Sequence, residues 1–143
     1  MSDTKKILEQ YKNNEITLES ALLELKKQPF EDIGYAKVDF HRKIRQGAAE
    51  VIYGEGKTPE QITGICDAMI KNGQTTILIT RLTKESAEII SKSHKLNYHP
   101  QSRIGIIGTL PKPDGIGKIV IATGGTSDIP VAEEAALTAE VLG

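Results

Sequence analysis

In the stretch ITLESALLELKKQ, Leu18, Leu22 and Leu25 fall at helical spacing behind Thr17, a good N-cap. Ile7, Leu8 and Tyr11 give the segment before it an apolar face of its own. The pattern predicts two short helices, over 3–14 and 17–28, broken by the turn-forming Asn13-Asn14-Glu15. YAKVDF (35–40) alternates and predicts extended chain, and AEVIYG (49–54) predicts a strand. After a Gly-Glu-Gly-Lys turn a helix starts at Pro59, with Thr58 as N-cap and Gln61 placed to complete a capping box. Proline is well placed there, because its missing N–H would have had no partner. Ile62, Ile65, Cys66, Met69 and Ile70 share one helical face, and Asn72-Gly73 supplies the stop.

The β-branched run TTILITRL (75–82) predicts a buried strand, followed by a helix over 83–94 capped by Thr83. LNYHPQS reads as loop or short extended chain, and RIGIIGTL (103–110) as a strand. PKPDGIG (111–117) is the linker signal, KIVIAT (118–123) predicts another strand, and a last helix runs from Ser127 to Leu142. From residue 49 onward, alternating strands and helices predict an α/β fold with parallel strand pairs.

The chain has 143 residues, which suggests one domain by length. It carries 18 Lys+Arg against 19 Asp+Glu, a formal net charge of −1. That balance argues against nucleic acid or a membrane as the main partner. With two Phe and no Trp, the core must be built from Ile, Leu, Val and Ala. A single cysteine, Cys66, excludes an internal disulfide. The opening MSDTKKILEQYKNN has no apolar signal region, and no apolar run approaches the ~18 residues of a membrane helix. A cytoplasmic protein is the expectation.

The chemistry concentrates in IATGGTSDIPVAEEA. Gly124 and Gly125 let a ligand approach the backbone and permit positive φ. Ser127 and Asp128 stand at a helix start, where free N–H groups and the dipole favour a phosphate. A carboxylate would repel phosphate, so Asp128 is better suited to ribose hydroxyls or a cationic ring. The competing reading is that Ser127 or Asp128 only caps the helix. Cys66, on an apolar helical face, reads as a core residue. In HRKIRQG, Arg42, Lys43 and Arg45 either recognise an anion or form a solvated turn. YGEGKT is not a P-loop, because the first glycine that motif needs is Val51. His94 and His99 do not share a helical face or complete a metal site. Glu133 and Glu134 are placed in the first turn of the last helix, where acidic residues suit the dipole.

GGTSDIPVAEEAA after an apolar strand resembles the opening of the domain shared by the PurE and LarB families. PurE enzymes rearrange or carboxylate aminoimidazole ribonucleotide and typically carry Gly-Ser-x-Ser-Asp at this turn. Here the first of those serines is Gly125, and TSDIPVAEEA is nearer to LarB. VDFHRKIRQGAAEVIYGEGKTPEQI and ILITRL resemble the N-terminal region that LarB carries and PurE lacks. The resemblance covers almost the whole chain, with 37–62 and 123–135 its most specific parts.

The resemblance implies a helical hairpin and a small α/β domain over 1–110, a linker over 111–117, and over 118–143 the first β-α unit of a PurE-like, flavodoxin- or Rossmann-like three-layer domain. It implies part of a carboxylase/hydrolase. Such enzymes carboxylate the pyridinium ring of nicotinic acid adenine dinucleotide with CO2 or bicarbonate. They also cleave its phosphoanhydride, giving pyridinium-3,5-biscarboxylate mononucleotide and AMP, on the route to the nickel-pincer cofactor of lactate racemase. Gly124, Gly125, Thr126, Ser127 and Asp128 carry over as substrate-binding residues. The ring is activated by a cysteine adduct, and the family cysteine is expected beyond Gly143, so 1–143 alone is expected to be inactive. Residues 118–143 are expected to dock on the preceding domain or to be poorly ordered. No tightly bound cofactor is implied, Mg²⁺ assistance is left open, and assembly into an octamer is expected. A PurE-type purine enzyme, or a non-catalytic nucleotide- or RNA-binding module using HRKIRQG, are the alternatives.

Overall fold

The computed structural model describes residues 3–25, 30–39, 50–113 and 115–143. Helices α1 (Asp3–Lys12) and α2 (Leu18–Leu25) pack on each other as a hairpin. Strands β1 (Phe30–Asp32) and β2 (Lys37–Asp39) form an antiparallel ribbon. Its turn is held by the Gly34 N–H donating to the Asp32 carboxylate at 2.8 Å, with Gly34 at φ +88.

The centre of the molecule is a four-stranded sheet of β3 (Val51–Tyr53), β4 (Thr76–Thr80), β5 (Leu96–His99) and β6 (Ile104–Gly108), in the order β3-β4-β6-β5. Helix α3 (Pro59–Lys71) connects β3 to its parallel neighbour β4. Helix α4 (Lys84–Ile90) precedes β5, and α5 (Ile129–Leu142) follows a 3-10 turn at Thr126–Asp128. The fold is α/β. Among the described residues no helix is long and apolar enough to cross a membrane.

Helix α3 begins where its capping chemistry places it. The Gln61 N–H donates to Thr58 Oγ1 at 3.3 Å and the Thr58 N–H to Gln61 Oε1 at 3.0 Å, a complete capping box. The helix stops at Asn72, with Gly73 at φ +85. Thr83 caps α4, its hydroxyl oxygen accepting from the Ser86 N–H at 3.1 Å.

Side chains alternate across the strands, and both faces are covered. Ile52, Ile77, Ile79 and Ile107 point to one side, where Ile62, Ile65, Cys66 and Met69 of α3 and Ile90 of α4 close the main core. Leu78, Ile104 and Ile106 point to the other, where Leu137 and Val141 of α5 pack with Val51. Burial on both faces explains why TILIT reads as an unbroken apolar run. Gly108, at φ +94, follows a tight approach: a Cβ there would collide with the Thr75 carbonyl.

Several expectations are corrected. Among the described residues only β3 and β4 are parallel; β4–β6 and β5–β6 are antiparallel. Residues 100–103 join β5 to β6, and so short a connection cannot make the crossover that parallel neighbours need. Helix α4 ends at Ile90 rather than at residue 94, with the Ser91 hydroxyl returning to the Ala87 carbonyl at 2.7 Å. Residues 118–123 form no strand: Ile119 and Val120 are 78% and 85% exposed. A strand needs a neighbour for its N–H and C=O groups, and no described segment pairs with this one. Helix α5, in contrast, docks on the sheet through Leu137 and Val141.

Candidate functional site

The turn Gly124-Gly125-Thr126-Ser127-Asp128 is exposed along its whole length. The Asp128 N–H donates to the Gly125 carbonyl at 3.2 Å, winding Thr126–Asp128 into a single 3-10 turn that leads into α5. Nothing lies within 4 Å of where a Cβ would stand on Gly124 or Gly125. Neither glycine is in the left-handed region, and Gly125, at φ −164 and ψ 170, is simply extended. The expected use of positive φ is therefore not made, and what the glycines provide is open space against the backbone.

Capping does not account for the polar residues. Asp128 occupies the N-cap position of α5 with helical dihedrals of −89 and −13, and no side-chain cap hydrogen bond is made there. None is made at Gly125, the N-cap of the 3-10 turn, either. The helix proper starts at Ile129, so Glu133 and Glu134 lie beyond its first turn and the dipole argument for them lapses. Arg42, Lys43 and Arg45 fall outside the described residues.

A second group of polar side chains gathers at the carboxyl ends of β3 and β4, and the sequence reading missed it. Arg81 directly follows β4, and its Nη1 lies 3.1 Å from Glu134 Oε2 of α5. Arg103 directly precedes β6, and its Nη2 donates to the Arg81 carbonyl at 3.2 Å. The Leu82 N–H donates to the Arg103 carbonyl at 2.8 Å, which pins the two chains together at this end. Both arginines are left-handed, at φ 55 and 56, a costly conformation for a residue with a long side chain. Tyr53 ends β3 on the face that α5 covers, and its hydroxyl donates to the Glu55 carboxylate. That carboxylate raises the phenol's pKa, and the nearby Arg81 opposes it. The one signal available beforehand was a pair of arginines directly flanking two strands.

The turn and Arg81 lie towards the same end of the sheet, joined through α5. Glu134 meets Arg81 beyond the end of β4, while Leu137 and Val141 pack further along the sheet on Leu78, Ile104 and Ile106. Helix α5 therefore runs back along β4, and its N-terminal turn projects past the carboxyl ends of the parallel pair. In α/β sheets that end is where ligands bind.

Cys66 is not part of this surface. It is fully buried on α3, and burial, followed by the adjacent Asp67 charge, pushes its thiol up to about 12. The core reading of Cys66 holds, since a thiol so protonated is a poor nucleophile at neutral pH. His94 is nearly buried and lies with Nε2 3.2 Å from Asp67 Oδ1, an ion-pair separation whose angles do not make a hydrogen bond.

The family model described as the LarB/PurE-like N-terminal domain matches residues 30–109. An uncharacterized protein of Methanocaldococcus jannaschii is 34% identical over 140 residues, an alignment that takes in 93% of this chain and 55% of that relative. The chain thus spans about half the length of the curated relative it matches.

Proposed function

The chain belongs to the LarB/PurE-like N-terminal domain family, and from that premise we propose that it is part of a carboxylase/hydrolase acting on a pyridine dinucleotide. The substrate in this reading is nicotinic acid adenine dinucleotide. One ring carbon exchanges its proton for CO2, and one water enters the phosphoanhydride. The products are pyridinium-3,5-biscarboxylate mononucleotide and AMP.

The observation that carries the reading is the turn at 124–128. It is exposed, has open space over two glycines, and holds a serine and an aspartate that make no cap hydrogen bond. Backbone N–H groups at such a turn suit a phosphate. The Asp128 carboxylate suits a ribose diol or the positive pyridinium, whose charge it would offset. Cys66 is not the thiol that adds to the ring, because it is buried and holds its proton up to about 12. We assign that thiol to the part of a full-length family member that this chain does not span. Octameric assembly of the full-length protein belongs to the same proposal.

The test is AMP release from nicotinic acid adenine dinucleotide with bicarbonate present. A full-length family member should release AMP, and the 143-residue chain alone should not. Replacing the residue equivalent to Asp128 with Asn should weaken turnover at least tenfold. AMP release by the 143-residue chain, or turnover of aminoimidazole ribonucleotide instead of the dinucleotide, would overturn the proposal.

A further inference from the structure

We infer that the α1–α2 hairpin is a self-association surface. Its open apolar face meets the same face of a second copy of this chain, with α1 of one copy laid against α2 of the other. The inference concerns assembly and does not rest on the dinucleotide reading.

The hairpin has almost no core of its own. Helix α1 is 10 residues long and α2 is 8. Helices so short are marginal in water and draw their stability from packing. Among their described side chains only Ala21 is buried. Among the described residues neither helix makes an extensive contact with any element but the other. The hairpin also lies outside the matched family domain, which begins at residue 30.

The apolar side chains left open are grouped. Tyr11 of α1 and Leu18 of α2 line one cleft at the turn of the hairpin, with Ile16 between them in sequence. Leu8 lies three residues before Tyr11, and Leu22 four residues after Leu18. At those spacings each helix continues the stripe away from the turn. These four side chains are between 41% and 51% exposed. Scattered singly, such residues need no explanation, but gathered on one face they mark an interaction site.

Charge selects the occupant. Along α1 the sequence has three lysines against two acidic residues, whereas α2 has Glu19 and Glu24 and no cation. Lys26 and Lys27, which follow α2 in sequence, lie outside the described residues. A two-fold axis through the face sets α1 against the partner's α2 twice, so a net basic helix meets an acidic one at both contacts. The other two-fold arrangement would set acidic α2 on acidic α2. A second copy therefore supplies the apolar stripe and the charge match together. Four half-open side chains per copy fall short of the roughly 1,200 Å² that a stable interface buries. The dimer is accordingly weak, with a dissociation constant on the order of 10–100 µM.

Sedimentation velocity of the 143-residue chain, from about 5 to about 500 µM, brackets that affinity. Monomer at the low end should pass into dimer at the high end, with no larger species. Leu8→Glu and Leu22→Glu, at positions already open to water, should each raise the dissociation constant at least tenfold. Either variant serves if circular dichroism shows that the other has lost helix. Charge then identifies which helix meets which. K6E with K12E in one chain, and E19K in another, should each associate more weakly than the parent. Their equimolar mixture should associate more strongly than either alone, because each altered helix then meets its opposite. A monomer throughout, a dimer that both glutamate variants leave unchanged, or a mixture no stronger than its components would overturn the inference. None of these readouts depends on dinucleotide turnover, so the two proposals stand or fall separately.

Discussion

Arg81 Nη1 lies 3.1 Å from Glu134 Oε2, joining the end of β4 to the second turn of α5. One turn further along, Leu137 begins the apolar contact with Leu78, Ile104 and Ile106. The apolar packing of Leu137 and Val141 holds α5 more firmly than the ion pair does, since exposed ion pairs stabilise by at most about 1 kcal/mol.

Leu137→Ala should therefore loosen α5 without unfolding the sheet. A half-buried leucine contributes roughly 1–2 kcal/mol, below the full burial value. Amide exchange over 129–142 should accelerate about tenfold while 59–71 keeps its protection. Equal acceleration in both helices would mean that α5 is integral to the sheet's own stability.

Ser127→Ala and Asp128→Ala should each change unfolding stability by less than about 0.5 kcal/mol in urea titrations. Neither terminus at this turn has a side-chain cap bond to lose. A loss of about 1 kcal/mol or more is what a working cap would produce, and that outcome would return both residues to architecture.

The Cys66 thiol should make stability fall in alkali. Its ordinary value of 9.0 applies in the unfolded chain, and burial pushes it to about 12 in the fold. The unfolded state thus ionises first. The thiol's contribution is fully present below pH 9.0 and is lost as the pH rises towards about 12. Tyr98, raised by burial, and Tyr53, raised by Glu55, add slopes of the same sign. Unfolding titrations over that range should show Cys66→Ala with a shallower decline than the parent chain. An unchanged slope would show that the thiol is open to solvent.

Thr58→Ala should cost about 1 kcal/mol, because it removes one bond of the capping box and leaves the Gln61 N–H of α3 without its partner. Thr83→Ala should cost a similar amount at α4. Thermal unfolding of the two variants checks both. A neutral Thr58→Ala would show that the Pro59 start is set by packing instead of by the cap.

What the sequence determined by itself was local. Thr58-Pro59 with Gln61 dictated the start of α3, Asn72-Gly73 its end, and Thr83 the start of α4, because these signals act through hydrogen bonds a few residues long. The apolar face of α3 and the buried run of β4 were equally legible, as was the glycine turn at 124–125. Only the tertiary structure decided strand direction, since side-chain alternation is the same in parallel and antiparallel ladders. It also decided that 118–123 forms no strand, because β-branched residues favour extended chain but cannot supply a neighbour to pair with. The arginines at 81 and 103 became a pair only when β6 folded back beside β4, 22 residues away along the chain. No local pattern encodes that meeting, because it arises from how the strands are ordered in the sheet.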